Sequence, residues 1–137
     1  MELGESKQVE QKESQSSGNV AEFISTLFTS RTQVHIMHLQ TKSYAAHKAL
    51  DEYYNGVVDL ADSIAEAYQG KYGIIKGYKE SEYDEDISPI DYLKGIRDYV
   101  GQARYTAFKE EDTNLQNEID NVVTLLDSTL YKLENLS

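Results

Sequence analysis

Apolar side chains recur every three or four positions over most of this chain, the period of an α-helix that buries one face. From Asn19 to about Leu39 the apolar stripe is Ile24, Leu27, Phe28, Val34 and His38. Asn19, three residues before Glu22, makes a capping-box-like start. A short polar connection, Gln40-Thr41-Lys42-Ser43, leads into a second helix expected from about Ser43 to Tyr68. Its core stripe is Leu50, Tyr54, Val57, Ala61, Ile64 and Tyr68. A third helix is expected at Ser88, with Pro89 in its first position, Asp91 in its first turn and the stripe Leu93, Ile96, Val100, Ala103, Ala107. A fourth is expected from Thr113, with Gln116 closing a capping box and Leu115, Ile119, Val122, Leu126, Leu130 and Leu133 facing inward. Between the second and third helices lie Gly70, Gly73, Gly77 and the acidic run Glu80 to Asp86, a connection long enough to cross between distant helix ends. The pattern predicts an all-α four-helix bundle with a long crossover between helices 2 and 3.

Residues 1–18 are polar and almost free of large apolar side chains, so they cannot bury enough surface to offset the entropy of ordering. They are read as a flexible tail ahead of one domain over residues 19–137. A chain of 137 residues supports one core of moderate size. It has no cysteine, which removes disulfides and thiol chemistry. No run of eighteen apolar residues and no N-terminal apolar segment occur, so a soluble cytoplasmic protein without a membrane partner is expected. The net charge of −11 opposes attraction to nucleic acid, and no basic cluster offsets it.

The candidate chemistry lies in His35, His47, Asp51, Asp62 and Glu66. His and carboxylate four residues apart share a helix face, as a transition-metal site needs. On a helical wheel with His47 at zero, Asp51 falls near 40°, Asp62 near 60° and Glu66 near 100°, against a core stripe near 300°. His47 and Asp62 are nevertheless separated by about 22 Å of helix rise, too far to share an ion within one chain. The stripe His47, Asp51, Asn55, Val58, Asp62, Glu66 has steps of 4, 4, 3, 4 and 4, symmetric about the midpoint between Gly56 and Val57. An antiparallel copy would set His47 against Glu66 of the partner subunit and Asp51 against Asp62 of the partner subunit, the self-complementary pattern of an isologous dimer. A divalent metal at each end of that seam would relieve the facing carboxylates, and mixed imidazole and carboxylate ligands suit iron, manganese or zinc. His35 can supply a nitrogen to the cluster; His38, nearer the core stripe, is the competing choice. The bland alternative is a solvated acidic face on a metal-free bundle. No Glu-x-x-His motif occurs, so a di-iron site held inside one subunit is excluded.

The spacing His35-x11-His47-x3-Asp51-x10-Asp62-x3-Glu66 resembles that of Dps-like miniferritins, over about residues 20–70. The resemblance implies a ferritin-like bundle forming a hollow dodecamer, with iron bound at two-fold interfaces between antiparallel second helices. It implies a ferroxidase that oxidises Fe(II) with peroxide or dioxygen, stores the ferric product and protects against peroxide. Asp62 and Glu66 would hold iron with His35 of the partner subunit, and Glu66 would reach towards His47 of the partner subunit. The chain resembles compact versions from phages and bacteria, which places it in a bacterial or host cytoplasm. A Lys-rich N-terminal arm is absent, so DNA binding is not expected. Glu110, Glu111 and Asp112 are candidates for cation entry. The alternative function is a metal-free helical bundle acting in assembly or interaction.

Overall fold

The computed structural model describes residues 2–79 and 81–136, with side chains from residue 19 onward. The chain folds into α1 (Glu2–Gln40), α2 (Tyr44–Tyr72), α3 (Pro89–Thr106) and α4 (Thr113–Asn135), with no strand among the described residues. The polar-tail reading of residues 1–18 concerns side chains outside the described set. The helix expected to start at Asn19 instead runs unbroken through that residue, as part of α1 from Glu2.

Helix α1 packs on α2 and α3, and α4 packs on α2 and α3, so α1 and α4 stand diagonally across the bundle, as do α2 and α3. Glu52 near the start of α2 pairs with Lys132 near the end of α4, and Lys71 at the end of α2 pairs with Asp112 before α4. These two helices are therefore antiparallel. Lys94 pairs with Glu134 and Arg104 with Asp120, so α3 and α4 are antiparallel too. It follows that α2 and α3 run in the same direction, and the connection over 73–88 must return along the length of the bundle. It does so beside α1. The Lys79 N–H donates to Ser25 Oγ at 3.1 Å, and further along Gln33 Nε2 donates to the Asp84 carbonyl at 3.1 Å.

Helix ends follow local chemistry. Ser43 caps α2 by accepting from the Ala46 N–H at 3.2 Å, and Ser88 caps α3 by accepting from Asp91 at 3.1 Å. Helix α2 passes through Gly70 and ends four residues later than the stripe predicts. The stop is Gly73, whose φ of 101° only glycine adopts easily. Helix α4 departs from the expected capping box. Its N-cap is Asp112, which makes no side-chain cap bond, and Gln116 instead exchanges hydrogen bonds with Arg104.

The core contains Ile24, Leu27, Leu50, Val57, Ile64, Leu93, Val100, Leu115, Ile119, Val122 and Leu126. Each such side chain contributes about 1.5–3 kcal/mol on leaving water. Phe23 anchors the end of the bundle nearest α3's C-terminus, edge-on to Phe108 at 5.0 Å between ring centroids. Two expected core positions change. Tyr53, not Tyr54, is fully buried, and its hydroxyl meets Ser30 Oγ at 2.7 Å. Phe28 is 38% exposed, turned towards the crossover.

Candidate functional site: the histidine corner and the outer face of α2

A hairpin of two helices brings together residues equidistant from its turn. His38 and His47 flank the turn at Ser43 in that way, and their rings stack at 3.6 Å with 19° between planes. His38 Nδ1 lies 2.6 Å from the His47 carbonyl, and His47 Nδ1 lies 2.8 Å from the His38 carbonyl. A carbonyl oxygen only accepts, so both rings carry a proton on Nδ1, and in the neutral ring the lone pair is therefore on Nε2. Imidazole lone pairs lie in the ring plane, so two nearly parallel stacked rings do not aim both at one ion. The pair is a lock on the α1–α2 corner rather than a chelate.

The stack continues outward. Tyr54 lies against His35 at 4.1 Å and 17°, and edge-on to His38 at 5.2 Å. The Tyr54 hydroxyl donates to Asp51 Oδ1 at 2.7 Å. That bond, with smaller contributions from His38, Asn55 and His47, holds the Asp51 carboxyl below its ordinary value of 3.8. The same contact raises the Tyr54 hydroxyl. Tyr44 is exposed and reaches only the margin of the cluster, 6.5 Å from His47.

Of the five residues singled out by spacing, the fold gathers His35, His47 and Asp51 around this corner, with His38 and Tyr54 between them. His35 turns its ring to Tyr54, and it is His38 that faces His47. Asp62 and Glu66 lie three to four turns further along α2 and are exposed. Among the described residues no three His, Asp or Glu side chains are arranged to hold a metal ion. Asp112, a candidate for cation entry, is buried and already taken. Lys71 donates to one carboxylate oxygen and the Tyr72 hydroxyl to the other. Those two bonds, Lys71 first, hold its carboxyl below the ordinary value.

Spacing alone missed the His38–His47 pair and the role of Tyr54. The signal for the pair was present, since both histidines stand one helical turn from a three-residue connection.

Beyond the corner, the outward face of α2 carries Asn55, Val58, Asp62 and Glu66, and no helix side chain among the described residues buries its three polar positions. Asn55, Asp62 and Glu66 are exposed and Val58 is half-buried. Lys48 and His47 lie near one end of this face, while Asp59, Asp62 and Glu66 lie towards the other.

The resemblance to Dps-like miniferritins is overturned by comparison with known proteins. Residues 38–133 match DUF5856, a family of unknown function. The chain is 31% identical over 112 residues to an uncharacterized 14.6 kDa protein from the mobD–ri intergenic region of Enterobacteria phage T4. That match spans 82% of this chain and 85% of the phage protein. No solved structure matches the chain. The five ligand-type residues occupy one stripe and a corner, a pattern that an acidic amphipathic hairpin reaches without iron chemistry, whereas the family match runs over most of three helices. The chain belongs to DUF5856.

Proposed function

We propose that this chain is an assembly module, a helical bundle that pairs with a second copy of itself through the outer face of α2. The observation that carries this reading is the uncovered stripe, symmetric about the midpoint between Gly56 and Val57. An isologous interface needs a surface that complements itself under a two-fold rotation. With α2 antiparallel to its copy, the Lys48 end of one helix meets the Asp62 and Glu66 end of the other, and Val58 lies at the centre. Lys48 facing the Asp62 and Glu66 end sets register and orientation against the repulsion between Asp51 and Asp62 of the partner subunit, while the half-buried apolar centre supplies desolvation.

A second reading adds a divalent transition metal at each end of the seam, held by His47 and Asp51 of one copy with Asp62 and Glu66 of the other. It is favoured by the His47 ring, whose Nδ1 is engaged by a carbonyl so that Nε2 is the free lone pair, the usual outer-shell arrangement of a ligating histidine.

Sedimentation equilibrium tests both. The wild-type chain is expected at a multiple of 15.6 kDa. Asn55→Arg with Val58→Arg is expected to return it to the single-chain mass with its helix content unchanged. A wild-type chain that stays monomeric at high concentration would refute the pairing. Association that survives EDTA supports the metal-free seam, whereas association that needs added Zn(II) or Mn(II) supports the bridged one.

A further inference from the structure

We propose that the cleft between α1 and the crossover strap is a docking site for a short basic segment of a partner protein, one that carries apolar side chains between Lys or Arg flanks. The strap is tied to α1 at two buried side chains. Ser25 receives the Lys79 N–H, while the Gln33 amide donates to the Asp84 carbonyl and accepts from the Asp84 N–H at 3.4 Å. Ser25 and Gln33 are separated by about 12 Å of helix rise. The chain from Lys79 to Asp84 can reach about 16 Å when extended. With more chain than span, the strap need not lie flat on the helix, and a cleft of about 520 Å³ opens beneath it. That volume lies in the range of sites that take a few side chains.

The lining is unusual for an acidic surface. Phe28 on the floor, Tyr78 and Tyr83 on the strap are 38%, 47% and 37% exposed, three large aromatic rings left half in water around one cleft. Scattered exposed aromatics need no explanation, but a cluster around a concavity marks an interaction site. Thr29 and Thr32 add hydroxyls along the floor.

The rim decides the partner's charge. Glu82, Glu85 and Asp86 are exposed on the strap, and Asp62 of α2 is close enough to Tyr78 to contribute to raising its hydroxyl, after burial itself. Lys79 is the one cation among the lining residues. Anionic partners, nucleic acid and a second copy of this chain at −11 are disfavoured at such a rim, whereas Lys and Arg are drawn to it. The cleft is lined by α1 and the strap alone, and although Asp62 also lies on the face proposed for pairing, the strap carboxylates set its charge without it, so this inference does not rest on pairing through α2.

The test uses the full chain and a fluorescein-labelled peptide, Lys-Lys-Leu-Ser-Phe-Ser-Leu-Lys-Lys, followed by anisotropy. Binding is expected to weaken roughly tenfold or more in Phe28→Ser with Tyr83→Ser, and equally when the peptide's Leu and Phe are replaced by Ser. Glu82→Gln with Glu85→Gln is expected to weaken binding, whereas Asp98→Asn with Glu110→Gln, the same charge change on distant exposed positions, leaves it unchanged. Equal loss in the two charge variants would identify diffuse attraction and overturn the proposal. So would an unaffected aromatic variant, or no binding by wild type. A change in particle mass in the aromatic variant, without peptide binding, would assign the cleft to a second copy and overturn it as well.

Discussion

Asp51 shows how one neighbour changes the meaning of a side chain. On spacing it is a ligand-type carboxylate. In the fold one of its oxygens is occupied by the Tyr54 hydroxyl, and Tyr54 in turn lies flat on His35. The folded carboxyl titrates below the ordinary 3.8, so its stabilising contribution is full above that value and is lost as pH falls through the lower folded one. Tyr54→Phe is expected to move the Asp51 titration back up, followed through its side-chain carboxyl carbon by NMR, and to leave the other Asp resonances in place. An unmoved Asp51 would assign its shift to the histidines. The neighbouring Tyr53 is the contrasting case. Its ring is fully buried, and burial drives its hydroxyl far above the ordinary range.

Between helices, two close contacts carry clear expectations. A Cβ on Gly56 would lie 3.2 Å from Leu125 Cδ2, where α2 crosses α4. Leu125 is half-buried and its side-chain tip can shift, while Gly inside a helix is worth about 1 kcal/mol less than Ala. Gly56→Ala is therefore expected to change stability by less than about 1 kcal/mol, and Gly56→Leu to lower it by about 1–3 kcal/mol through overpacking. Thermal melts of the two variants decide this. At the other end of α2, Asp112 joins Lys71 and Tyr72 to the start of α4. Asp112→Asn is expected to cost about 1–2 kcal/mol at neutral pH. Because the folded Asp112 carboxyl is depressed, the gap between variant and wild type should close as pH falls through the folded value. A gap that persists in acid would mean that the charge of Asp112 is not what matters.

At the scale of the whole molecule, four helices are arranged so that the α1–α2 hairpin presents a charged face and the α1–strap pair an aromatic cleft. None of the described helices is long and apolar enough to cross a membrane. The proposed pairing through α2 draws its attraction from Lys48 against the acidic end of a second copy. Raising salt from low to about 1 M, where the screening length falls to roughly 3 Å, should weaken association while leaving the melting of each bundle nearly unchanged. Association that strengthens with salt would point to an apolar contact elsewhere.

The amino-acid order by itself determined α2, α3, α4 and the C-terminal part of α1, though not that α1 begins at Glu2. Apolar residues at steps of three and four, Ser88-Pro89 at a helix start and glycine after α2 act over one or two turns, and local interactions of that range are written in consecutive residues. The stripes of α3 and α4 and the long crossover were legible for the same reason. Tertiary packing decided what a 100° step leaves open. Of two adjacent tyrosines, Tyr53 goes inward because Ser30 of α1 meets its hydroxyl, and Tyr54 stays at the boundary with Asp51 and His35. His38 finds His47 only once the hairpin closes, and Ser25 and Gln33 find the strap only once the crossover returns along α1. The five spaced residues suggested a family because spacing along a helix is local, but kinship is read over a much longer stretch, and the match over residues 38–133 places the chain in DUF5856.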